Sequence, residues 1–161
     1  MGKMYVMLAV LVLLVGCKGA EKAVYSANKR QQSPLSVDIK SEYKSGERIN
    51  FIIRNDSDNA VDLLHPKELL IQMQTKSGWE NVPILYCPCG ASCVAPPERI
   101  LLEKEGSYEI AWDQKSSWCK DNGKMIPETI EKQVEQGTYR LVLDWELDDS
   151  TKTMYKKFQI K

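Results

Sequence analysis

Four cysteines are the residues best suited to chemistry: Cys87, Cys89 and Cys93 in Tyr86-Cys87-Pro88-Cys89-Gly90-Ala91-Ser92-Cys93, and Cys119 in Ser117-Trp118-Cys119-Lys120. In an oxidising compartment an even set of thiols closes into disulfides. Where metal arrives first, four sulfurs hold Zn(II) tetrahedrally and three suit the soft Cu(I) ion. The Cys-x-Cys-x3-Cys spacing is not that of a zinc knuckle. Two disulfides are therefore expected, with a Zn or Cu site on Cys87, Cys89, Cys93 and Cys119 as the alternative. A redox role is not expected, because no Cys-x-x-Cys pair opens a helix whose N-terminus would lower a thiol pKa. A bridge between Cys87 and Cys89 is disfavoured, since extended neighbours at that spacing point apart and Pro88 stiffens the link. The other two pairings stay open. Either staples the loop before Pro96-Pro97 to the segment around Cys119, and each closure contributes on the order of 2–4 kcal/mol.

Other chemistry is sparse. His65 is the sole histidine, and the pair His65-Pro66 reads as a turn or strand-edge position rather than a ligand or base. The chain offers no Ser-His-Asp set, no His-rich metal set and no glycine loop to cradle phosphate. No catalytic residue is assigned, no cofactor is expected, and the chain reads as a non-enzyme. Glu103-Lys104-Glu105 and the acids from Asp144 to Asp149 have the mixed or turn-like character of solvated strand edges. Of Trp79, Trp112, Trp118 and Trp145, the second and fourth fall on the inward phase of their segments, whereas Trp118 is expected to be exposed. Pro88, Pro96, Pro97 and Trp118 are thus the candidates for a binding loop.

The segments that must position these residues alternate with a period of two. Leu35, Val37 and Ile39 alternate with Ser36, Asp38 and Lys40, and Ile49, Phe51 and Ile53 alternate with polar residues. Lys44-Ser45-Gly46-Glu47 and Asn55-Asp56-Ser57-Asp58-Asn59 supply turns. Further strands are expected at 68–75, 79–86, 100–102 and 107–112. Tyr139, Leu141, Leu143 and Trp145 open a C-terminal hairpin that turns at Asp148-Asp149-Ser150. Pro127, Ile130, Val134 and Gly137 are spaced as a short helix over about 128–136 would space them. This is the pattern of an all-β, two-sheet antiparallel sandwich of about seven or eight strands. The chain has 161 residues, 43% hydrophobic and 27% charged, enough for one packed domain, placed at 35–161. Lys+Arg and Asp+Glu both number 22, so no basic field exists to attract nucleic acid.

The N-terminus has its own logic. Lys3 precedes an apolar run from Tyr5 to Val15 that stops at Gly16-Cys17. The run is shorter than the roughly 20 residues of a membrane span and has the proportions of a signal segment. Leu14-Val15-Gly16-Cys17 resembles a bacterial lipobox, which implies a signal peptide over 1–16 and a diacylglyceryl thioether on Cys17. Acyl chains at about 0.8 kcal/mol per buried methylene would then hold the protein on a bilayer. Residues 17–34 read as the lipidated cysteine and a flexible tether, placing the domain on the order of 20 Å from the membrane. Lys18 stands where an Asp would signal inner-membrane retention. The expected location is therefore exported and lipid-anchored, at the outer membrane or facing the periplasm if the cell is Gram-negative.

Within the domain, Tyr43, Gly46-Glu47, Ile49, Phe51, Ile53, Asn55 and Ser57 recur with Trp79, Trp112-Asp113 and Gly137-Thr138-Tyr139-Arg140-Leu141. This set resembles bacterial immunoglobulin-like domains related to the intracellular proteinase inhibitor (BsuPI-like) family over about Leu35 to Ile160. The resemblance implies an immunoglobulin-like fold in which Gly137-Thr138-Tyr139 leads into a central strand, and it raises protease inhibition as an alternative function. The cysteine-rich insert and the anchor depart from that family. The leading expectation is a non-enzymatic envelope module. Its partners would be the membrane, through the lipid, and another envelope protein or a protease.

Overall fold

The computed structural model describes residues 33–161 except Lys67. The signal peptide expected over 1–16, Cys17 and the expected tether as far as residue 32 lie outside the described residues. The described chain forms twelve strands and no helix: β1 (Leu35–Asp38), β2 (Glu42–Tyr43), β3 (Ile49–Asn55), β4 (Val61–Leu64), β5 (Leu70–Gln74), β6 (Trp79–Asn81), β7 (Arg99–Leu102), β8 (Ser107–Trp112), β9 (Lys115–Lys120), β10 (Glu128–Gln133), β11 (Gly137–Leu147) and β12 (Ser150–Ile160).

These strands make a small sheet in the order β1-β3-β8, a large one in the order β2-β12-β11-β4-β7, and a separate ribbon of β9 and β10. β4 and β5 run along the same side of β11, opposite Asp144–Glu146 and Tyr139–Val142 respectively, so they form one line interrupted by residues 65–69. β7 and β6 extend the sheet beyond that line. Apart from the ribbon, the sandwich has three lines of strand in one sheet and five in the other.

Two details make the topology immunoglobulin-like. The chain leaves the small sheet after β1 and its next segment, β2, lies parallel to the terminal strand β12. Near the start of β11, the Tyr139 hydroxyl donates to the Glu135 carbonyl four residues upstream, the tyrosine corner that fixes a crossing between sheets in such folds.

The period-two segments bury one face as expected. Ile49, Phe51 and Ile53 of β3 meet Tyr139, Leu141, Leu143 and Trp145 of β11 in one continuous core, with Trp112, Phe158 and Ile160. The β11–β12 hairpin turns on Asp148 and Asp149, whose φ values of 51° and 57° give the doubly left-handed turn that matches strand twist. Two buried amides complete the frame. Asn55 Nδ2 donates to the Asn59 and Leu102 carbonyls, and its Oδ1 accepts from Ser57. Gln114, at φ 57°, donates to the Lys44 and Glu47 carbonyls and accepts from Gly46 N–H.

The short helix expected over 128–136 is not formed; Glu128–Gln133 is the strand β10. Its backbone pairs with β9 over six positions, from Glu128 opposite Lys120 to Gln133 opposite Lys115. Thr129 Oγ1 also accepts the Cys89 N–H. These contacts override the weak helical spacing of Ile130 and Val134. Gly137 is accordingly the first residue of β11 rather than a helix stop.

Tyr139→Phe is expected to cost about 1–2 kcal/mol by leaving the Glu135 carbonyl without its donor. Burial, with the Glu135 charge adding to it, pushes the Tyr139 pKa up to about 12, against about 10 in an unfolded chain. The folded state therefore holds this proton more tightly. The associated stability is fully present below pH of about 10 and lost as pH rises toward 12. Urea unfolding from pH 7 to 11.5 should show the gap between wild type and Tyr139→Phe narrowing above pH 10 in that range. A gap constant with pH would refute the assignment.

Candidate functional site

After β6 the chain leaves the large sheet for a long loop, and local chemistry lays that loop against β9. Val82 N–H donates to the Ile71 carbonyl, Ser117 N–H to the Pro83 carbonyl, and Leu85 N–H to Ser117 Oγ. Farther out, Pro88 to Ala91 forms a turn closed by the Ala91 N–H on the Pro88 carbonyl. Gly90 has a φ of 73°, which an L-residue adopts only at a cost. A Cβ there would also lie 2.4 Å from Ile126 Cγ2. A side chain at position 90 would displace Ile126.

Two disulfides lock this tip. Cys87 pairs with Cys93 at a Cα separation of 6.1 Å, and Cys89 with Cys119 at 5.7 Å. This is one of the two pairings left open by spacing alone. With all four sulfurs bridged, the thiolate set needed for Zn or Cu is not formed. The first bridge closes a tight loop around Pro88 and Gly90, and the second ties that loop to the ribbon.

The described residues carry seven exposed large hydrophobic side chains: Tyr86, Val94, Leu101, Trp118, Met125, Ile126 and Tyr155. Five of them lie in the bridged loop or in the β9–β10 hairpin that Cys119 ties to it. Tyr86 and Val94 flank the Cys87–Cys93 loop, Trp118 precedes Cys119, and Met125 and Ile126 lie between β9 and β10, where Ile126 meets Gly90. Met125 is 99% exposed and Val94 86%, which no packing role explains. Isolated exposed apolar residues are ordinary, but a concentration of them marks an interaction surface. Pro88 and Pro97 are exposed on the same loop and Pro96 is half-buried. Trp118, singled out by its place beside Cys119, is exposed as expected, while Trp112 and Trp145 are buried in the core. Val94, Met125 and Ile126 were not identifiable beforehand, because apolar residues in an irregular loop have no period.

Beside the tip, a cleft of about 830 Å³ lies between the edge of β8 and the segment Val82 to Tyr86. His65, Asp113, Lys115, Glu131 and Asp144 are among its lining residues. Lys115 Nζ is 2.8 Å from Glu131 Oε2, and that carboxylate raises the ammonium pKa by hydrogen bond and charge. Asp113 pairs with Arg48, and Asp144 accepts from Thr153 Oγ1. His65 sits at a turn with φ 46°, its N–H on the Glu98 carbonyl, the turn position its sequence context indicated. The cleft's walls are polar and apolar in about equal measure, and the four charges named with partners, Lys115, Glu131, Asp113 and Asp144, are each engaged by a neighbouring side chain. Among the described residues lining it, no nucleophile is paired with a base.

No family model and no curated protein matches the chain. Among solved structures, a β-glucosidase from Listeria innocua in complex with gluconolactone aligns over 78% of this chain and 15% of its own, at 13% identity and a TM-score of 0.35. The chain thus spans about a seventh of that enzyme's length, and a likeness this slight carries no functional argument.

Proposed function

We propose that the protein is a non-enzymatic lipoprotein of the bacterial cell envelope, anchored by lipid on Cys17, that docks a protein partner with its disulfide-bound tip. The observation that carries this reading is the concentration of five of the seven exposed large hydrophobics, Tyr86, Val94, Trp118, Met125 and Ile126, in the bridged loop and the β9–β10 hairpin that Cys119 ties to it. A bridged tip loses little conformational entropy on binding, so its apolar area is converted to affinity efficiently. The pairing of thiols suits an oxidising envelope. The anchor rests on the Leu14-Val15-Gly16-Cys17 motif and makes the tether a spacer between membrane and partner.

The test is site-specific photocrosslinking in intact cells. A photoreactive residue at Met125 should trap one envelope protein, while the same residue at exposed Lys152, on the far hairpin, should not. Mass measurement of the mature chain should show the lipid on Cys17, and Cys17→Ser should leave the membrane fraction. Absence of a specific product at Met125 would sink the docking reading, and an unmodified Cys17 the anchor.

Protease inhibition is the second reading. It draws on the closed Cys87–Cys93 loop, which presents Pro88, Ala91 and Ser92 to solvent as a cleft-filling loop would. Crosslinking to a protease, with micromolar inhibition lost on opening that bridge, would favour it over a structural partner.

A further inference from the structure

The outer face of the large sheet carries a group of side chains distant in role from the tip. Arg140 of β11 stands directly opposite Lys157 of β12 on one side and Gln72 of β5 on the other. Like charges facing each other across a ladder are destabilising, and an acid between them would ordinarily offset this. Among the described residues neither Arg140 nor Lys157 forms an ion pair with a carboxylate. Asp144, on the same phase of β11 as Arg140, accepts from Thr153 instead.

The Arg140 guanidinium is nevertheless held. Its carbon lies 4.3 Å from the Trp79 ring centroid and 4.1 Å from that of Tyr155, so both rings grip it by cation–π attraction. Its Nε–H donates to Gln72 Oε1 at 2.7 Å, and Gln72 Nε2 in turn donates to Asn81 Oδ1 at 2.8 Å. Lys157 Nζ lies 5.5 Å from the same Trp79 centroid. Four of the five guanidinium N–H donors, those on the two Nη atoms, are left without a partner among the described residues, in the planar fork that matches an oxyanion. A permanently charged group is thus stacked, oriented and placed beside a second cation, with its terminal donors unspent.

We propose that Trp79, Gln72, Arg140, Tyr155 and Lys157 form a binding site for a phosphate group. The Arg140 fork takes two of its oxygens, and the Lys157 ammonium supplies the second positive charge. Two adjacent cations suit a phosphate, which carries up to two charges, better than a single carboxylate. The phosphate belongs either to a soluble phosphorylated molecule or to an anionic lipid headgroup. The site is independent of the tip and of its partner.

The test follows the Arg140 Nε–H and the Trp79 indole N–H by NMR in the intact chain as inorganic phosphate is added, against chloride at equal ionic strength. Both signals should move saturably with phosphate only. Arg140→Gln and Lys157→Gln should each weaken the response about tenfold. Lys157 is exposed, so its variant keeps the fold. In a second arm, Cys17→Ser protein, which lacks the anchor cysteine, is mixed with vesicles of phosphatidylcholine with and without phosphatidylglycerol. Vesicle binding that requires phosphatidylglycerol and is lost in Lys157→Gln identifies a lipid headgroup; a phosphate response without it identifies a soluble ligand. Shifts that follow ionic strength alone, or survive unchanged in both variants, overturn the proposal, as does silence in both arms.

Discussion

Phe158→Ala is expected to destabilise the domain by about 4–5 kcal/mol, in the upper part of the range for truncating a buried aromatic. Phe158 is 2% exposed and sits where four other rings converge. Its centroid lies 6.0 Å from Tyr43, 5.7 Å from Phe51, 6.3 Å from Trp112 and 5.9 Å from Tyr139. Those rings come from β2, β3, β8 and β11, so one side chain joins both sheets and the strand that switches between them. The loss combines burial, a cavity and several edge-to-face contacts worth about 0.5–1.5 kcal/mol each, which are not additive. Against a total stability of about 5–15 kcal/mol for a domain of ordinary size, this removes much of the margin. Urea unfolding of Phe158→Ala beside the exposed neighbour Gln159→Ala gives the comparison, the latter expected within about 0.5 kcal/mol of wild type. A loss below about 2 kcal/mol for Phe158→Ala would mean that the surrounding rings collapse into the gap and that the cluster is not the keystone of the sandwich.

Phe158 lies in the return strand of a hairpin that was legible from the alternation of β11 and the turn after it, and alternation likewise marked β3. Period-two burial is a property of single residues in a regular frame, so it survives without knowledge of partners. Properties that depend on distant partners were not legible. Asn55 and Gln114 have polar side chains that ordinarily mark surface, yet both are buried because each satisfies carbonyls of a neighbouring turn. Val61 to Leu64 is too short a run to mark a strand by itself, and its line along β11 is broken at 65–69 and resumes in β5. In Pro127 to Gly137 the local signals favoured a helix, but β9 offered six paired positions and the Cys89 N–H a hydroxyl acceptor on Thr129. At the candidate site, the cysteines and Trp118 were legible from type and context. The pairing of the cysteines and the approach of Ile126 to Gly90 came only with the loop's path along β9.

That path rests on the Cys89–Cys119 bridge, and its removal is the second large effect expected. The bond spans 30 residues, so in chain-entropy terms Cys89→Ser with Cys119→Ser should cost about 3–4 kcal/mol. The corresponding double variant at Cys87 and Cys93, which close a separation of only 6, should cost about 2 kcal/mol. The two differ in consequence as well as size. Opening Cys87–Cys93 leaves Cys89 still bonded to Cys119, and the Thr129 and Ser117 hydrogen bonds still hold the loop on the ribbon. Opening Cys89–Cys119 leaves the loop held on the ribbon by hydrogen bonds, those of Ser117 with Pro83 and Leu85 and that of Thr129 with Cys89, without a covalent tie at the tip. Ile126 then loses its fixed place against Gly90, in the loop between Tyr86 and Val94. Thermal unfolding should therefore fall by about 10–15 °C for the long bridge and about half that for the short one. Photocrosslinking from Met125 should drop much more for the long bridge than its stability loss accounts for when measured well below the midpoint. Equal crosslinking in both variants at a temperature where both are folded would separate the partner surface from the staple and leave the bridge a purely structural element.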